Sequence, residues 1–391
     1  MEDTPSPLPE NEIRLISSDA ELQEALPQLR QASELGADLE FDQNRHTYGF
    51  TLCLIQLSDG HTCYLIDPFG VKDLRPVFHL MEDPETVKIF HHSNNDLLLL
   101  SKLGCKPRQI LDTDVAAKII NYEKTSLASV MAEEFGVTID KAMQASNWNR
   151  RPLTEEQIRY AALDVQYLRP LKERLVGKIK ELGRGHWLEE ESRHLERITY
   201  LVPEYPHLRM KGISRFSEHE LFILGEVYAF RESLAEQMNK PAGHIMSSEA
   251  LLDLALHPDT DVHEWVNHTK GIHGRLKSSR YSKAIASLLR QAREDAETHN
   301  LSQEHPNNRY RRPPETPETL QREEEARRLQ EELSQRYGAY SMRLLLNQSH
   351  IQHYAQHGEL IRTRHYAIAE INHVAAKLGL GIKARFPSPG P

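Results

Sequence analysis

Residues 36–42, Gly36-Ala37-Asp38-Leu39-Glu40-Phe41-Asp42, alternate apolar and acidic side chains. A period of two is the pattern of a strand, with Ala37, Leu39 and Phe41 on one face and Asp38, Glu40 and Asp42 on the other. The apolar run at residues 50–57 follows closely and predicts that this strand lies inside a sheet. Neighbouring carboxylates on a central strand repel one another and are costly to desolvate unless a cation stands between them. By itself the stretch fits two readings, an acidic pair that binds a divalent metal or a solvated sheet face on which alternating charge is ordinary.

Working outward, residues 13–16 read as a first strand and Asp19 as the cap of a helix reaching about residue 34, with Leu22, Leu26 and Leu29 at helical spacing. Residues 50–57 and 62–66 are strands joined through Ser58-Asp59-Gly60, whose Asp-Gly is a hairpin signal. A short helix near 74–81 and a strand at 87–91 come next. Ser93-Asn94-Asn95 is N-cap chemistry and places Asp96 in the first turn of a helix at 97–103. Asp112 caps a helix at 115–120, and Gly136 ends another at 126–135. Thr154 and Gln157 form a capping box for a long helix on which Tyr160 and Asp164, four apart, share a face. Antiparallel strands followed by interleaved strands and helices predict a mixed α/β domain with one sheet.

Past residue 210 the strand signal vanishes. Helices are predicted at 217–239, 247–256 and 283–297, then a polar, Pro-rich linker at 299–319, then helices at 320–336, 347–357 and 363–377.

The 391 residues carry a formal net charge of -9, so nucleic-acid binding has to rest on local basic patches and not on global charge. Three scattered cysteines, Cys53, Cys63 and Cys105, argue for reduced thiols and against a disulfide framework or zinc site. The acidic, Pro-rich N-terminus is unlike a signal peptide, and no apolar run approaches the roughly 18 residues that a bilayer span requires. A cytoplasmic protein with no membrane partner is expected.

Asp-x-Glu on a strand, an Asp opening a later helix and Tyr-x-x-x-Asp on a long helix occur in that order. Together they resemble the DEDD superfamily of 3′–5′ exonucleases, in the subclass with Tyr at the fifth position. The flanking text at residues 37–41, 54–57, 91–96 and 141–153 is similar to the ribonuclease D family, and the resemblance covers residues 13–295. It implies a ribonuclease H-like mixed-sheet exonuclease domain followed by all-α helical domains. It also implies two divalent ions, Mg2+ or Mn2+, held by Asp38, Glu40, Asp96 and Asp164, with Asp38 bridging. By the same resemblance, Tyr160 is expected to orient the attacking water and Glu40 to lie near the terminal 3′-hydroxyl. Hard oxygen ligands suit these ions, and a metal pair suits phosphodiester hydrolysis.

Residues 211–295 resemble the HRDC module shared by RecQ-type helicases and ribonuclease D, with Phe230 where tryptophan is usual before the Arg-Glu pair. A basic strip, Lys270, Arg275, Lys277, Arg280 and Lys283, fits either a nucleic-acid contact or a solvated face. The expected organisation is a disordered tail at 1–12, the exonuclease domain at 13–185, a connector at 186–210, the HRDC domain at 211–295 and a linker at 296–319. A degenerate second HRDC-like domain at 320–385 and a tail at 386–391 complete it.

Among neighbouring residues, Asp112 is expected to cap a helix and Asp42 to be solvated at the strand exit. His91 at a strand end suits packing or substrate contact. Tyr48, in a polar-aromatic loop, suits base stacking or strand-edge packing. Lys141, Arg150 and Arg151 beside Trp148 pair cations with an aromatic, which suits a single strand whose phosphates are neutralised while its bases stack. The function expected is a 3′–5′ exoribonuclease acting on RNA with a free 3′ end, such as a tRNA precursor, and releasing 5′-mononucleotides. The alternatives are a DNA exonuclease and a non-catalytic nucleic-acid-binding scaffold.

Overall fold

The structure, a computed structural model, describes residues 11–139, 142–305 and 316–388. They gather into two compact units, one of residues 11–40, 52–200 and 316–388 and the other of residues 41–51 and 201–305.

The first unit is built on the elements β1 (Glu12–Ile16), α1 (Asp19–Gln31), β2 (Glu34–Gln43), β3 (Phe50–Ser58), β4 (Thr62–Ile66), α2 (Arg75–Glu82) and β5 (Val87–Phe90). These continue into α3 (Asn94–Lys102), β6 (Ile110–Asp112), α4 (Thr113–Ile119), α5 (Leu127–Phe135), α6 (Glu155–Gln166), α7 (Leu168–Glu181) and α8 (Gly185–Leu195). The six strands form one sheet in the order β1-β4-β3-β2-β5-β6. The β4 strand runs parallel to β1 and antiparallel to β3, and β5 runs parallel to both β2 and β6. This is the mixed sheet that the strand order implied, and β2 is central in it.

Local chemistry sets most of the boundaries. Asp59 accepts from the backbone N–H groups of His61 and Thr62, both at 2.8 Å, and Gly60 takes φ 93°, which closes the turn between β3 and β4. Ser18, not Asp19, caps α1 through its hydroxyl, while the Asp19 carboxylate accepts from Lys72 and Asp73 N–H at 2.8 and 3.1 Å. The helix stops at Gln31, short of residue 34, because Glu34 already opens β2. Thr154 and Gln157 form the expected capping box at the start of α6, and Gly136 closes α5 in the left-handed region at φ 66°. The three-residue β6 is too short to show alternation in sequence, and its last residue is the Asp112 that caps α4.

The second unit is helical: α9 (Glu218–Met238), α10 (Ala242–Ile245), α11 (Ser248–Leu256), α12 (Val262–His268) and α13 (Ser279–Thr298). A Ser217/Glu220 capping box starts α9, and Asn239, at φ 45°, stops it. Ile223, Leu224, Val227, Leu251, Leu254, Leu276, Ile285 and Leu289 form its core. Lys270, Arg275, Lys277, Arg280 and Lys283 are all exposed, and among the described residues none has a carboxylate within 4.0 Å. Asp42 is buried at 4% exposure and not solvated as expected. Its carboxylate holds the following loop, accepting from Arg45, His46 and Thr47 N–H and the Thr47 hydroxyl at 2.7–3.2 Å. Burial works to raise the Asp42 carboxyl, but the Thr47 hydroxyl and these backbone donors outweigh it and hold the group below its ordinary value. Tyr48 packs against the helical core, donates its hydroxyl to Glu232 at 3.2 Å and is pushed up to about 12 by burial and the Glu232 charge. Tyr48 thus packs on helices and not on a strand edge.

The C-terminal block returns to the first unit as α14 (Pro317–Tyr337), α15 (Met342–Leu345), α16 (Gln348–His357), β7 (Leu360–Ile361), α17 (His365–Lys377) and β8 (Ala384–Arg385). Leu329, Leu333, Leu345, Ile371 and Val374 share one core with Ala117, Ile119, Leu171, Leu175 and Trp187. The block therefore has no separate core of its own. Among the described residues no helix is long and apolar enough to cross a membrane.

Candidate active site

Three elements bring the acidic residues together. Asp38 and Glu40 are two apart on β2 and project from the same face. Asp164 lies in the last turn of α6, the helix that passes over that face: a Cβ on Gly36 of β2 would stand 2.8 Å from the Val165 carbonyl. One carboxylate oxygen from each of Asp38, Glu40 and Asp164 falls within 4.8 Å of the others. Asp96, in the first turn of α3, lies outside that set but is buried, and its charge acts on Asp38 and Glu40. The face is covered by a helix, which removes the reading of a solvated sheet surface.

Electrostatics at this point are unfavourable to the bare protein. Burial, followed by the Asp96, Asp164 and Glu40 charges, raises the Asp38 carboxyl well above the usual range. Burial and the charges of Asp164 and Asp96 push Glu40 up to about 9. Burial also lifts Asp96 to about 8 and Asp164 to about 7. A group of carboxylates raised in this way is relieved by protons or by a cation. All the donors are hard oxygens, while the thiols of Cys53, Cys63 and Cys105 are buried and form no disulfide. The donor set fits a divalent ion of the Mg2+ or Mn2+ class.

Tyr160 lies one turn before Asp164 on α6. Burial and the charges of Asp164, Glu40 and Asp38 raise its phenol above the ordinary value, and it is hydrogen-bonded to Asp164. A phenol so shifted keeps its proton and acts as a donor.

The segment before α6 departs from the sequence reading. Trp148 is 4% exposed, packed among Cys53, Leu54, Leu65 and Leu153, with its ring centroid 6.1 Å from that of Tyr160. It is a prop behind Tyr160, with no open face for a base. Arg151 spends all five of its N–H donors inside the protein. It forms a two-pronged pair with the buried Asp67 at 2.5 and 2.8 Å and donates to the Trp148, Arg150 and Cys53 carbonyls at 2.6–2.8 Å. Its guanidinium also lies over the Phe69 ring at 4.4 Å. No donor is left for a phosphate, so Arg151 is a staple of the fold and not a substrate contact. Asp67, its partner, lies 84 residues away, and nothing in the local sequence links the two. Arg150 is exposed, and Lys141 lies outside the described residues.

His91 follows β5, which ends at Phe90, and is half-buried, its Nδ1 2.8 Å from the Thr113 hydroxyl, and burial holds its imidazole below the ordinary value. That environment is packing. Asp112 does cap α4, accepting from Asp114 and Val115 N–H at 2.8 and 3.4 Å. Ser93 does not cap α3 with its side chain, because its hydroxyl donates to Asp112 instead, at 2.8 Å.

The chain is similar to several known proteins. Residues 13–180 match the family model of a 3′–5′ exonuclease. A ribonuclease D of Desulfotalea psychrophila is 32% identical over 259 residues, covering 65% of this chain and 69% of that protein. A ribonuclease D of Sphingobium indicum is 32% identical over 294 residues, covering 72% and 74% of the two chains. Among solved structures, Escherichia coli RNase D, described as an exoribonuclease involved in structured RNA processing, aligns with a TM-score of 0.72 at 24% identity over 94% of this chain and 99% of that one. The catalytic core of RRP6 from Trypanosoma brucei aligns with a TM-score of 0.63 at 21% identity, covering 76% and 84%. Both likenesses are of fold.

Proposed function

Because the chain belongs to the ribonuclease D family of 3′–5′ exoribonucleases, we propose that Asp38, Glu40, Asp96 and Asp164 hold two divalent cations, Mg2+ or Mn2+, where RNA is shortened from a free 3′ end to 5′-mononucleotides. The observation that carries this reading is the convergence of Asp38, Glu40 and Asp164 oxygens within 4.8 Å. When bound, the cations ease ionisation of water and neutralise the charge that develops on the phosphodiester.

The chain's own residues divide the remaining work. Asp38 feels all three other carboxylates, which supports its assignment as the shared ligand. Tyr160, protonated and hydrogen-bonded to Asp164, orients the attacking water and does not deprotonate it. Glu40 accepts from the terminal 3′-hydroxyl, which makes a free 3′ end a requirement. Arg150, exposed just before α6, meets backbone phosphates. The exposed strip from Lys270 to Lys283 gives the helical unit, read as an HRDC module, a second contact with structured RNA such as a tRNA 3′ trailer in the cytoplasm.

The test uses 5′-labelled single-stranded RNA and DNA of matched sequence, with Mg2+, with Mn2+ and with EDTA. A metal-dependent ladder shortening from the 3′ end of RNA is expected, and a 3′-phosphate on the RNA should block it. Faster shortening of DNA favours a DNA exonuclease. No shortening of either substrate overturns the proposal.

A further inference from the structure

We infer that Asp112 is the positioning residue that fixes Asp96 in the acidic cluster, an inference that rests on the four-carboxylate site proposed above. Asp112 ends β6 at 1% exposure. Its Oδ1 accepts from His92 N–H at 3.0 Å, Asp114 N–H at 2.8 Å and Val115 N–H at 3.4 Å. Its Oδ2 accepts from Ser93 N–H and from the Ser93 hydroxyl, both at 2.8 Å. A carboxylate offers about four lone-pair positions, so five donors saturate this one. Although it is acidic and near Asp96, it has nothing left to give a metal.

The two groups of donors come from different elements. Asp114 and Val115 belong to the first turn of α4, whereas His92 and Ser93 form the bend between β5 and α3. Ser93 is the N-cap of α3, and its carbonyl accepts the first helical hydrogen bond, from Leu97 N–H at 2.9 Å. Asp96 sits in that turn. Its placement therefore depends on where Asp112 pins Ser93. The bend itself needs pinning: His92 has φ 65°, in the left-handed region that residues with a Cβ rarely adopt. The Ser93 hydroxyl, the natural cap for α3, is diverted to Asp112, so the helix start is tied to the sheet edge in place of its own N–H groups. The same closeness shows in Asp96, whose carboxyl is raised in part by the Asp112 charge.

The experiment measures Mn2+ binding to the full-length protein by calorimetry, well below the melting temperature, for wild type, Asp96→Asn, Asp112→Asn and Ser93→Ala. Outer-shell partners of metal ligands typically tune affinity by about 10–100-fold. Asp112→Asn replaces one acceptor oxygen by a donor that faces the bend's own N–H groups, and a loss of about tenfold in Mn2+ affinity is expected. Ser93→Ala removes one bond of the five and should cost about threefold. A merely structural role lowers the melting temperature and leaves the affinity of the folded protein unchanged. Folded Asp112→Asn with wild-type affinity overturns the inference. If Asp112→Asn does not fold, Ser93→Ala decides: weakened binding supports the inference and wild-type binding overturns it. If Asp96→Asn itself binds Mn2+ as wild type does, the four-carboxylate reading fails first, which separates the two failures.

Discussion

Asp38 and Glu40 sit where a strand interior places two carboxylates under a helix that adds a third. Because their folded values lie above the ordinary 3.8 and 4.5, the folded protein holds more protons than the unfolded chain. The cluster's contribution to the stability of the metal-free protein is thus fully present below the ordinary carboxylate range and is lost as pH rises from about 4.5 towards the 9 of Glu40. A divalent ion competes with those protons. The rise in melting temperature on adding Mg2+ or Mn2+ should therefore grow from pH 6 to pH 8.5, and scanning calorimetry with and without metal checks it. A metal shift that shrinks with pH would contradict the account. The same reasoning predicts that Asp38→Asn abolishes RNA shortening yet raises metal-free stability at pH 8 by about 1 kcal/mol, a gain typical when a strained functional site is relaxed. Denaturant titration of the two proteins in EDTA measures it. The alternation of residues 37–41 made this pair legible in sequence, as the four-residue step did for Tyr160 and Asp164. Trp148 and Arg151 were legible as chemistry but not as placement: nothing local signals that Arg151 is consumed by Asp67. A cation beside an aromatic looks the same in sequence whether it faces solvent or the interior.

At the scale of elements, the site exists because α6 lies close on β2. Gly36 makes that approach possible, since a Cβ there would meet the Val165 carbonyl at 2.8 Å. Val165 adjoins Asp164, so any shift of the helix is transmitted to the cluster. Gly36→Ala is expected to destabilise the protein by about 1–3 kcal/mol, the range for overpacking, and to lower turnover by moving Asp164 away from Asp38. Gly177, in α7, has open space around its Cβ position. Gly177→Ala is expected to stabilise by about 0.5–1 kcal/mol through helix propensity and a stiffer unfolded chain, with unchanged turnover. Chemical denaturation and RNA shortening of the two variants test the pair, and equal effects would dissociate Gly36 from helix approach. Capping signals read locally set the elements: Thr154/Gln157, Asp112 and Gly136 all act where the sequence put them. Gly36 gave no such signal, because its φ is ordinary and its reason is a carbonyl from a helix more than a hundred residues later.

For the whole molecule, the helices at 316–388 were predictable but their partner was not. An amphipathic stripe states that a face is buried and leaves open against what. Here Leu329, Leu333, Leu345, Ile351, Ile371 and Val374 join Leu171, Leu175, Ile179 and Trp187 in one core. Trp187 of α8 stacks on Tyr366 with centroids 4.6 Å apart, Arg364 makes a two-pronged pair with Glu191 at 2.7 and 3.0 Å, and the Ser341 hydroxyl donates to the Lys118 and Ile119 carbonyls, both at 2.9 Å. Large aliphatic side chains gain about 1.5–3 kcal/mol each on full burial. Six of them therefore contribute on the order of the whole net stability of a domain, about 5–15 kcal/mol. Deleting residues 316–391 uncovers α4, α7 and α8 together. The shortened chain is expected to lose its cooperative melt, bind a hydrophobic dye and lose near-ultraviolet circular dichroism. Any fall in RNA shortening would then follow from this loss of packing, and not from a missing contact with RNA. A shortened chain that melts cooperatively near the full-length temperature would show that the helices at 316–388 cover the core without holding it.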